Sequence, residues 1–375
     1  MITVGIFTTS RADFGIYKPL LNQIDLEEDI CYKLFLGGSH ITTEDGYTIW
    51  KTFDLTPKND SDYYLTKSSA KATNQLAEVF QEESFDFVCV LGDRFELLSI
   101  IQTAIIYKKP IIHIHGGERS EGAIDDQIRH MITKASHIHF AACEEYSNNI
   151  RKMGEQEWRI FNTGALAVEN LKNQLCPEKK KLFEIHGLDE SKKTAILTYH
   201  PVTLEKNIST EEQIHNIFTA LKNFDLQVVV TAPNIDSERS LIISIIEDQV
   251  KKNKDYKFFQ SLGSKNYLGL VEHCDFVIGN SSSGILEVPY FKIPTVNIGS
   301  RQDGRVRHES IIDTDYDTEL IKQAIEKALD PTFREALKNM AYRFGDGQAS
   351  QKMVDSIRNL ANRKDLMIKK LDFPC

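Results

Sequence analysis

The chain has no pair of cysteines placed for a shared task. Its six, Cys31, Cys89, Cys143, Cys176, Cys274 and Cys375, are scattered with no CxxC spacing. That argues against a zinc site and against a disulfide framework. Cys89 and Cys274 adjoin apolar runs and read as packing residues. Long apolar runs are missing too: none reaches the ~20 residues that cross a bilayer as a helix. The N-terminus passes straight into Ile2-Thr3-Val4-Gly5-Ile6-Phe7, with neither basic leader nor cleavage site. A cytoplasmic protein without membrane partners is expected. Positive charge is in deficit, with a net charge of -9. That disfavours nucleic acid as a partner but leaves room for a local basic pocket that binds phosphate. The glycine fingerprint of dinucleotide sites is absent after the first strand, so NAD is not supported. There is no long low-complexity segment and no short-period repeat.

What is present is a strand–loop–helix rhythm through most of the 375 residues, long enough for two domains by the usual ~100–200 residues each. Apolar runs at 2–8, 32–36, 85–91, 111–115 and 138–141 read as parallel strands, with helical patterns over 14–24, 68–82 and from 125 onward. A charged stretch around 173–191, with Pro177, Lys179-Lys180-Lys181 and Gly187, reads as a solvated linker. The rhythm resumes with strands at 194–198, 227–230, 257–260, 275–278 and 295–298. Helices are predicted at 211–224, 237–252, 265–274, 318–329, 332–342 and 348–363. The last of these is expected to cross back and brace the first domain. The expected domains are 1–175, completed by 360–375, and 185–358.

Chemistry-bearing residues gather where strands end. Asp93 follows one strand and Glu118 another; in a parallel sheet those ends share the edge where open α/β sheets bind ligands. Converging carboxylates suit acid–base work. A salt bridge from Asp93 to Arg94, or a helix cap at Asp125 or Asp126, explains some of the same residues without catalysis. His200 ends a strand just before Pro201. In the second half, 275–278 opens into Gly279-Asn280-Ser281-Ser282-Ser283-Gly284. A serine-capped helix start with a glycine for close approach suits phosphate oxygens. Glu287 can accept both hydroxyls of a ribose, and Arg301 adds a planar cation. Together they read as a nucleoside-diphosphate site.

The segments Thr-Ser-Arg-Ala-Asp at 9–13, Gly-Asp-Arg-Phe-Glu at 92–96, His-Gly-Gly-Glu at 115–118, Asp-Asp-Gln-Ile-Arg-His at 125–130, Tyr-His-Pro-Val-Thr at 199–203, Pro-Asn-Ile-Asp at 233–236 and Gly-Asn-Ser-Ser-Ser-Gly at 279–284, with Arg301-Gln302, span nearly the whole chain. In that order they resemble the hydrolysing UDP-N-acetylglucosamine 2-epimerases of bacterial sialic-acid pathways. The resemblance implies a GT-B-like α/β fold of two Rossmann-like domains with the active site in the cleft between them. It implies neither metal nor other cofactor, and a homo-oligomer, dimer or tetramer. It further implies conversion of UDP-N-acetylglucosamine and water to N-acetylmannosamine and UDP through a 2-acetamidoglycal, as used in sialic acid and capsule polysaccharide synthesis. Its motif positions place Asp93, Glu118 and Asp125 or Asp126 in proton transfer. His200 falls near the diphosphate and the glycosidic oxygen. Arg11, Ser281, Ser282 and Arg301 fall on the phosphates, with Gly284 beside them and Glu287 on the ribose. Asp13, His40, Arg94 and Asn234 fall among the remaining substrate-binding positions. Which carboxylate takes the C2 hydrogen stays open.

The same chemistry on a UDP-2,4-diacetamido-2,4,6-trideoxy sugar is the nearest alternative. A non-hydrolysing epimerase, a glycosyltransferase of this fold and an inactive nucleotide-sugar sensor follow. The strand-end carboxylates Asp93 and Glu118 exceed what simple sugar transfer requires, and together with His200 they argue against an inactive sensor.

Overall fold

The computed structural model describes residues 1–37, 46–58, 61–120, 124–173, 177–200, 202, 208–233 and 239–373. The chain divides into two compact units: Met1–Glu118 with Ala123–Lys172 and Arg343–Cys375, and Arg119–Gly122 with Asn173–Tyr342.

The first unit runs β1 (Ile2–Thr8), α1 (Arg11–Ile24), β2 (Ile30–Gly37), β3 (Ile49–Phe53), α2 (Asp62–Glu82), β4 (Phe87–Leu91), α3 (Leu97–Ile106), β5 (Ile111–Ile114), α4 (Ile124–Ala135), β6 (Ile138–Ala141), α5 (Glu144–Lys152), β7 (Ile160–Asn162) and α6 (Leu166–Asn173). The second runs α7 (Lys179–His186), β8 (Thr194–Thr198), α8 (Thr210–Leu221), β9 (Gln227–Thr231), α9 (Arg239–Lys252), β10 (Tyr256–Phe259), α10 (Gly263–His273), β11 (Phe276–Gly279), α11 (Ser283–Leu286), β12 (Thr295–Ile298), β13 (Ile311–Thr314), α12 (Thr318–Leu329) and α13 (Pro331–Leu337). The chain then rejoins the first unit with α14 (Ala349–Leu360).

Both sheets are parallel throughout, ordered β3-β2-β1-β4-β5-β6-β7 and β10-β9-β8-β11-β12-β13. In each the strand order reverses once, between β1 and β4 and between β8 and β11. Such a reversal opens a crevice at the carboxyl ends of the strands, where ligands bind in this architecture. Helices cover both faces, so the central strands are apolar without alternation, as in Val228-Val229-Val230 and Ile111-Ile112.

Helix α1 contains Pro19, which has no N–H to offer the Gly15 carbonyl. Asn170 of α6 donates to that carbonyl at 3.0 Å, so the break in the ladder is filled from outside the helix. On α14, Met353, Val354, Ile357 and Leu360 share a core with Tyr17, Leu20, Leu21 and Ile24 of α1. Each such side chain contributes about 1.5–3 kcal/mol by burial. That amphipathic face draws the chain back, and the return occurs at Arg343 rather than near residue 360.

The segment expected as a solvated linker holds α7. Leu182 and Phe183 are fully buried against α10 and its neighbours, and Gly187 at φ 63° supplies the left-handed cap. Strands β3 and β13 escape the sequence reading because each is a short, half-buried edge. The helix expected over 332–342 stops at Leu337, and α2 begins six residues early, at Asp62 instead of Ser68.

Histidines are buried beside the inner strands of the first unit. His113 bonds the Gly92 carbonyl through Nε2 at 2.8 Å, and Thr133 lies 3.2 Å from its Nδ1. The Ile111 amide donates to His137 Nδ1 at 3.1 Å. Burial, chiefly, pushes the His113 pKa from 6.5 down to about 3. Burial, then the charges of Lys369 and Arg159, pushes His137 down to about 4. Both folded values lie below the unfolded one. Below pH 6.5 the unfolded chain therefore binds protons that the folded chain refuses, and stability is lost as pH falls from 6.5 toward 4. The urea midpoint at pH 5 should be well below that at pH 7.5; equal midpoints would contradict the assignment of neutral imidazoles.

Candidate active site

At the crevice of the first unit, the turn after β4 is pinned from both sides. The Gly92 amide donates to the Ile114 carbonyl at 3.0 Å, and its own carbonyl meets His113. Asp93 follows, and its Oδ2 accepts from Arg129 Nη2 of α4. The other terminal nitrogen, Nη1, lies 3.7 Å from Glu118 Oε2. One guanidinium thus faces two carboxylates from the ends of two strands. Arg129 and Glu118 are buried, while the Asp93 side chain is 23% exposed. Burial opposes the Arg129 charge, but Glu118 and Asp93 outweigh it and raise its pKa. Arg94 turns to Glu96 at 2.5 Å, so the salt bridge of Asp93 is with Arg129 and not with its sequence neighbour.

Two further carboxyls crowd the same edge. Asp13 stands at the start of α1, where Ser10 caps its amide at 3.1 Å and Thr9 donates to Oδ2 at 3.2 Å. Its pKa is raised by burial against Ser10 and Arg94, and the charge of Asp93 adds to the rise. Asp125 in the first turn of α4 is raised by burial and then by Asp93, against Arg129 and Arg94. Asp126 turns instead to His130, at 3.2 Å. Glu118 also meets His115, Nδ1 to Oε1 at 2.5 Å.

In the second unit, Gly279 ends β11 at φ 129°, and a Cβ there would lie 2.0 Å from the Thr198 carbonyl. Only glycine lets the two strand ends come this close. Asn280 then clamps the exit of β8: its Oδ1 accepts from the His200 amide at 2.7 Å, and its Nδ2 donates to the His200 carbonyl at 2.8 Å. The Asn280 carbonyl accepts from Arg301 Nη1 at 3.0 Å and from Gln302 Nε2 at 2.9 Å. His200 is buried, and burial followed by the Arg301 charge lowers its pKa from 6.5 to about 3. Its imidazole is neutral at physiological pH and can share a proton with an incoming anion.

Ser281 and Ser282 precede α11, which spans only Ser283–Leu286, so the long helix start expected there is one short turn continued by a 3-10 turn over Val288–Phe291. Tyr267 donates to Ser283 Oγ at 2.9 Å. The Glu287 carboxyl is half-buried, with its pKa raised by burial while Ser283 bonds it. At Gly284 a Cβ would meet Thr295 Cγ2 at 2.8 Å, and the Thr295 hydroxyl donates to the Gly284 carbonyl at 2.9 Å.

Asp13, Asp93, Arg94, Glu118 and Asp125 therefore gather in the first unit, and His200, Ser281, Ser282, Gly284, Glu287 and Arg301 in the second. Arg11 opens α1. His40 and Asn234 lie outside the described residues. Sequence reading missed Arg129, His115, Asn280, Tyr267 and Ser283 as individual contributors. Four of these stand inside the motif segments, so the signal was proximity to them; Tyr267 had none. Among the described residues no group of three or more His, Cys, Asp or Glu is placed to hold a metal ion. No described helix is long and apolar enough to cross a membrane.

The likeness to known proteins fits this arrangement. Solved structures share the fold over the full chain: S. aureus MnaA in a co-structure with UDP matches at a TM-score of 0.80, 19% identity and 100% coverage of both chains. A Listeria monocytogenes structure described as a UDP-N-acetylglucosamine 2-epimerase matches at 0.82 and 17% identity, covering 100% of this chain and 99% of that one. The architecture is thus α/β and GT-B-like. Among curated relatives, a Campylobacter jejuni GDP/UDP-N,N'-diacetylbacillosamine 2-epimerase (hydrolyzing) is 36% identical over 88% of each chain. The Escherichia coli polysialic acid biosynthesis protein P7 is 32% identical over 87% of this chain and 86% of its own. A Legionella pneumophila UDP-N,N'-diacetylbacillosamine 2-epimerase (hydrolyzing) is 30% identical over 98% and 99%. A model of the UDP-N-acetylglucosamine 2-epimerase family matches residues 22–358, and the chain belongs to that family of UDP-sugar 2-epimerases.

Proposed function

We propose that the chain is a hydrolysing 2-epimerase whose substrate is a UDP-linked 2,4-diacetamido-2,4,6-trideoxy sugar of the N,N'-diacetylbacillosamine type. The names of the Campylobacter and Legionella relatives support this substrate over UDP-N-acetylglucosamine. The observation that carries the chemistry is the pair of strand-end carboxylates, Asp93 and Glu118, on the buried Arg129.

A sugar C2–H is too weakly acidic to be removed alone. Loss of UDP from C1 makes removal feasible: the C2–H electrons form the C1=C2 bond as the C1–O electrons leave with UDP. A carboxylate takes the proton, and the product is a 2-acetamidoglycal. Water then adds its oxygen to C1, and a proton reaches C2 from the opposite face. The sum is substrate plus water to UDP plus the C2-inverted free sugar. In this reading Asp93 and Glu118 move the C2 protons, with Asp125, its pKa raised, as the reserve acid. Asp126 is occupied by His130 and fits a supporting part. Arg301, Arg11, Ser281 and Ser282 stabilise the departing diphosphate. Neutral His200 donates to the leaving oxygen, Gly284 keeps the backbone close, and Glu287 accepts the ribose hydroxyls. Asp13, Arg94, His40 and Asn234 serve the sugar.

A second reading takes UDP-N-acetylglucosamine as substrate and N-acetylmannosamine as product, for sialic acid synthesis. The family description and the E. coli relative favour it.

UDP release from each nucleotide sugar decides between them. A kcat/KM at least ~100-fold higher for the diacetamido substrate is expected, because a site that pairs an acetamido group discriminates strongly against its absence. The reverse ratio would select the second reading. Asp93→Asn and Glu118→Gln should each lower kcat by about 10²–10⁴ while UDP affinity stays within a few-fold. Near-normal turnover in either variant removes that residue from the chemistry. Ser282→Ala combined with Arg301→Ala should weaken UDP binding by about 10–100-fold, in keeping with loss of a charged hydrogen bond. Unchanged affinity by calorimetry would refute the phosphate assignment.

A further inference from the structure

His115 sits where β5 turns into Gly116-Gly117-Glu118, with a backbone φ of 65°. A left-handed conformation in a residue with a Cβ costs of order 1–3 kcal/mol and persists only where its surroundings impose it. The surroundings here do so. The His115 amide donates to the Phe140 carbonyl at 3.0 Å. A Cβ on Gly116 would lie 2.9 Å from His113 Nδ1, and one on Gly117 only 2.3 Å from the Tyr146 carbonyl. Asn149 donates to the Gly117 carbonyl at 2.8 Å. The turn is packed so tightly that His115 has one place to go.

Its side chain adds a second cost. Nδ1 lies 2.5 Å from Glu118 Oε1 in a buried pair, while Nε2 is buried with no hydrogen-bond partner among the described residues. Leaving a buried polar atom unpaired is unfavourable, so stability alone does not account for histidine here. Both costs are spent on one contact. It fixes one oxygen of Glu118, whose other oxygen faces Arg129 at 3.7 Å.

We propose that His115 is a positioning residue for Glu118: its Nδ1–H holds Oε1 and so aims the second carboxylate oxygen for proton transfer. The inference rests on the reading that Glu118 moves a proton.

Two substitutions separate the possibilities in the full-length protein. Asparagine tolerates positive φ and presents an amide N–H where Nδ1 stood. Glycine relaxes the backbone and removes the donor. His115→Gly should lower kcat by about 10²-fold or more, in the range of a misplaced catalytic group, with KM, UDP affinity and thermal midpoint little changed. His115→Asn should restore kcat to within about tenfold of the parent by keeping the donor. In a Glu118→Gln background, His115→Gly should cost nothing further, because groups acting as a unit are non-additive. Near-normal kcat for His115→Gly, or losses that multiply in the double variant, would overturn the proposal. An asparagine variant as slow as the glycine variant would also overturn it, in favour of a ring that itself carries the proton. If Glu118→Gln turns over normally, the reading of Glu118 fails instead, which is a separate outcome.

Discussion

Everything in the first unit's crevice is arranged around the buried charge of Arg129. A guanidinium removed from water is tolerable only when paired, and stripping one partner from such a pair costs about 3–5 kcal/mol. Here the partners are Asp93 and Glu118, delivered by the ends of β4 and β5, while Arg129 itself comes from α4. The cation therefore sits between two strand exits, hydrogen-bonded to Asp93 and 3.7 Å from Glu118. With two carboxylates against one guanidinium, the cluster has acceptor oxygen in excess. The neighbours show it: burial raises the pKa of both Asp13 and Asp125, and the charge of Asp93 raises each further.

The second unit solves a different problem with the same topology. Its strand order reverses between β8 and β11, as that of the first reverses between β1 and β4. At that point stand a neutral imidazole, a guanidinium and hydroxyls, with the single carboxyl of Glu287 after them. Asn280 joins them, bracketing His200 with two hydrogen bonds while its own carbonyl receives Arg301 and Gln302. That one residue ties the His200 backbone to the Arg301 guanidinium. One unit thus gathers carboxylates at its strand ends, and the other an imidazole, a guanidinium and hydroxyls.

How much of this was legible in the sequence depended on whether the signal was local. The inner strands were, because a strand covered on both faces must be apolar along its length. The carboxylates at 93 and 118 were too, because strand ends in a parallel sheet share an edge. Arg129 was not: an arginine on an amphipathic helix reads as a solvent-facing cation, and only tertiary packing shows that it points inward. Asn280 lay inside a motif segment, but only tertiary packing shows that it brackets His200. The Lys179-Lys180-Lys181 run masked α7, since the three charges hid the burial of Leu182 and Phe183 just behind them. Edge strands β3 and β13, short and half-exposed, carry too few apolar residues to stand out.

The most direct test is proton NMR of the released sugar after turnover in D2O with the UDP-linked diacetamido sugar. Proton transfer at C2 coupled to loss of UDP predicts free UDP and a sugar inverted at C2 with deuterium on that carbon. Release of a sugar that keeps its original C2 proton and configuration would mean plain hydrolysis, and would contradict the role given to Asp93, Glu118 and the arginine between them.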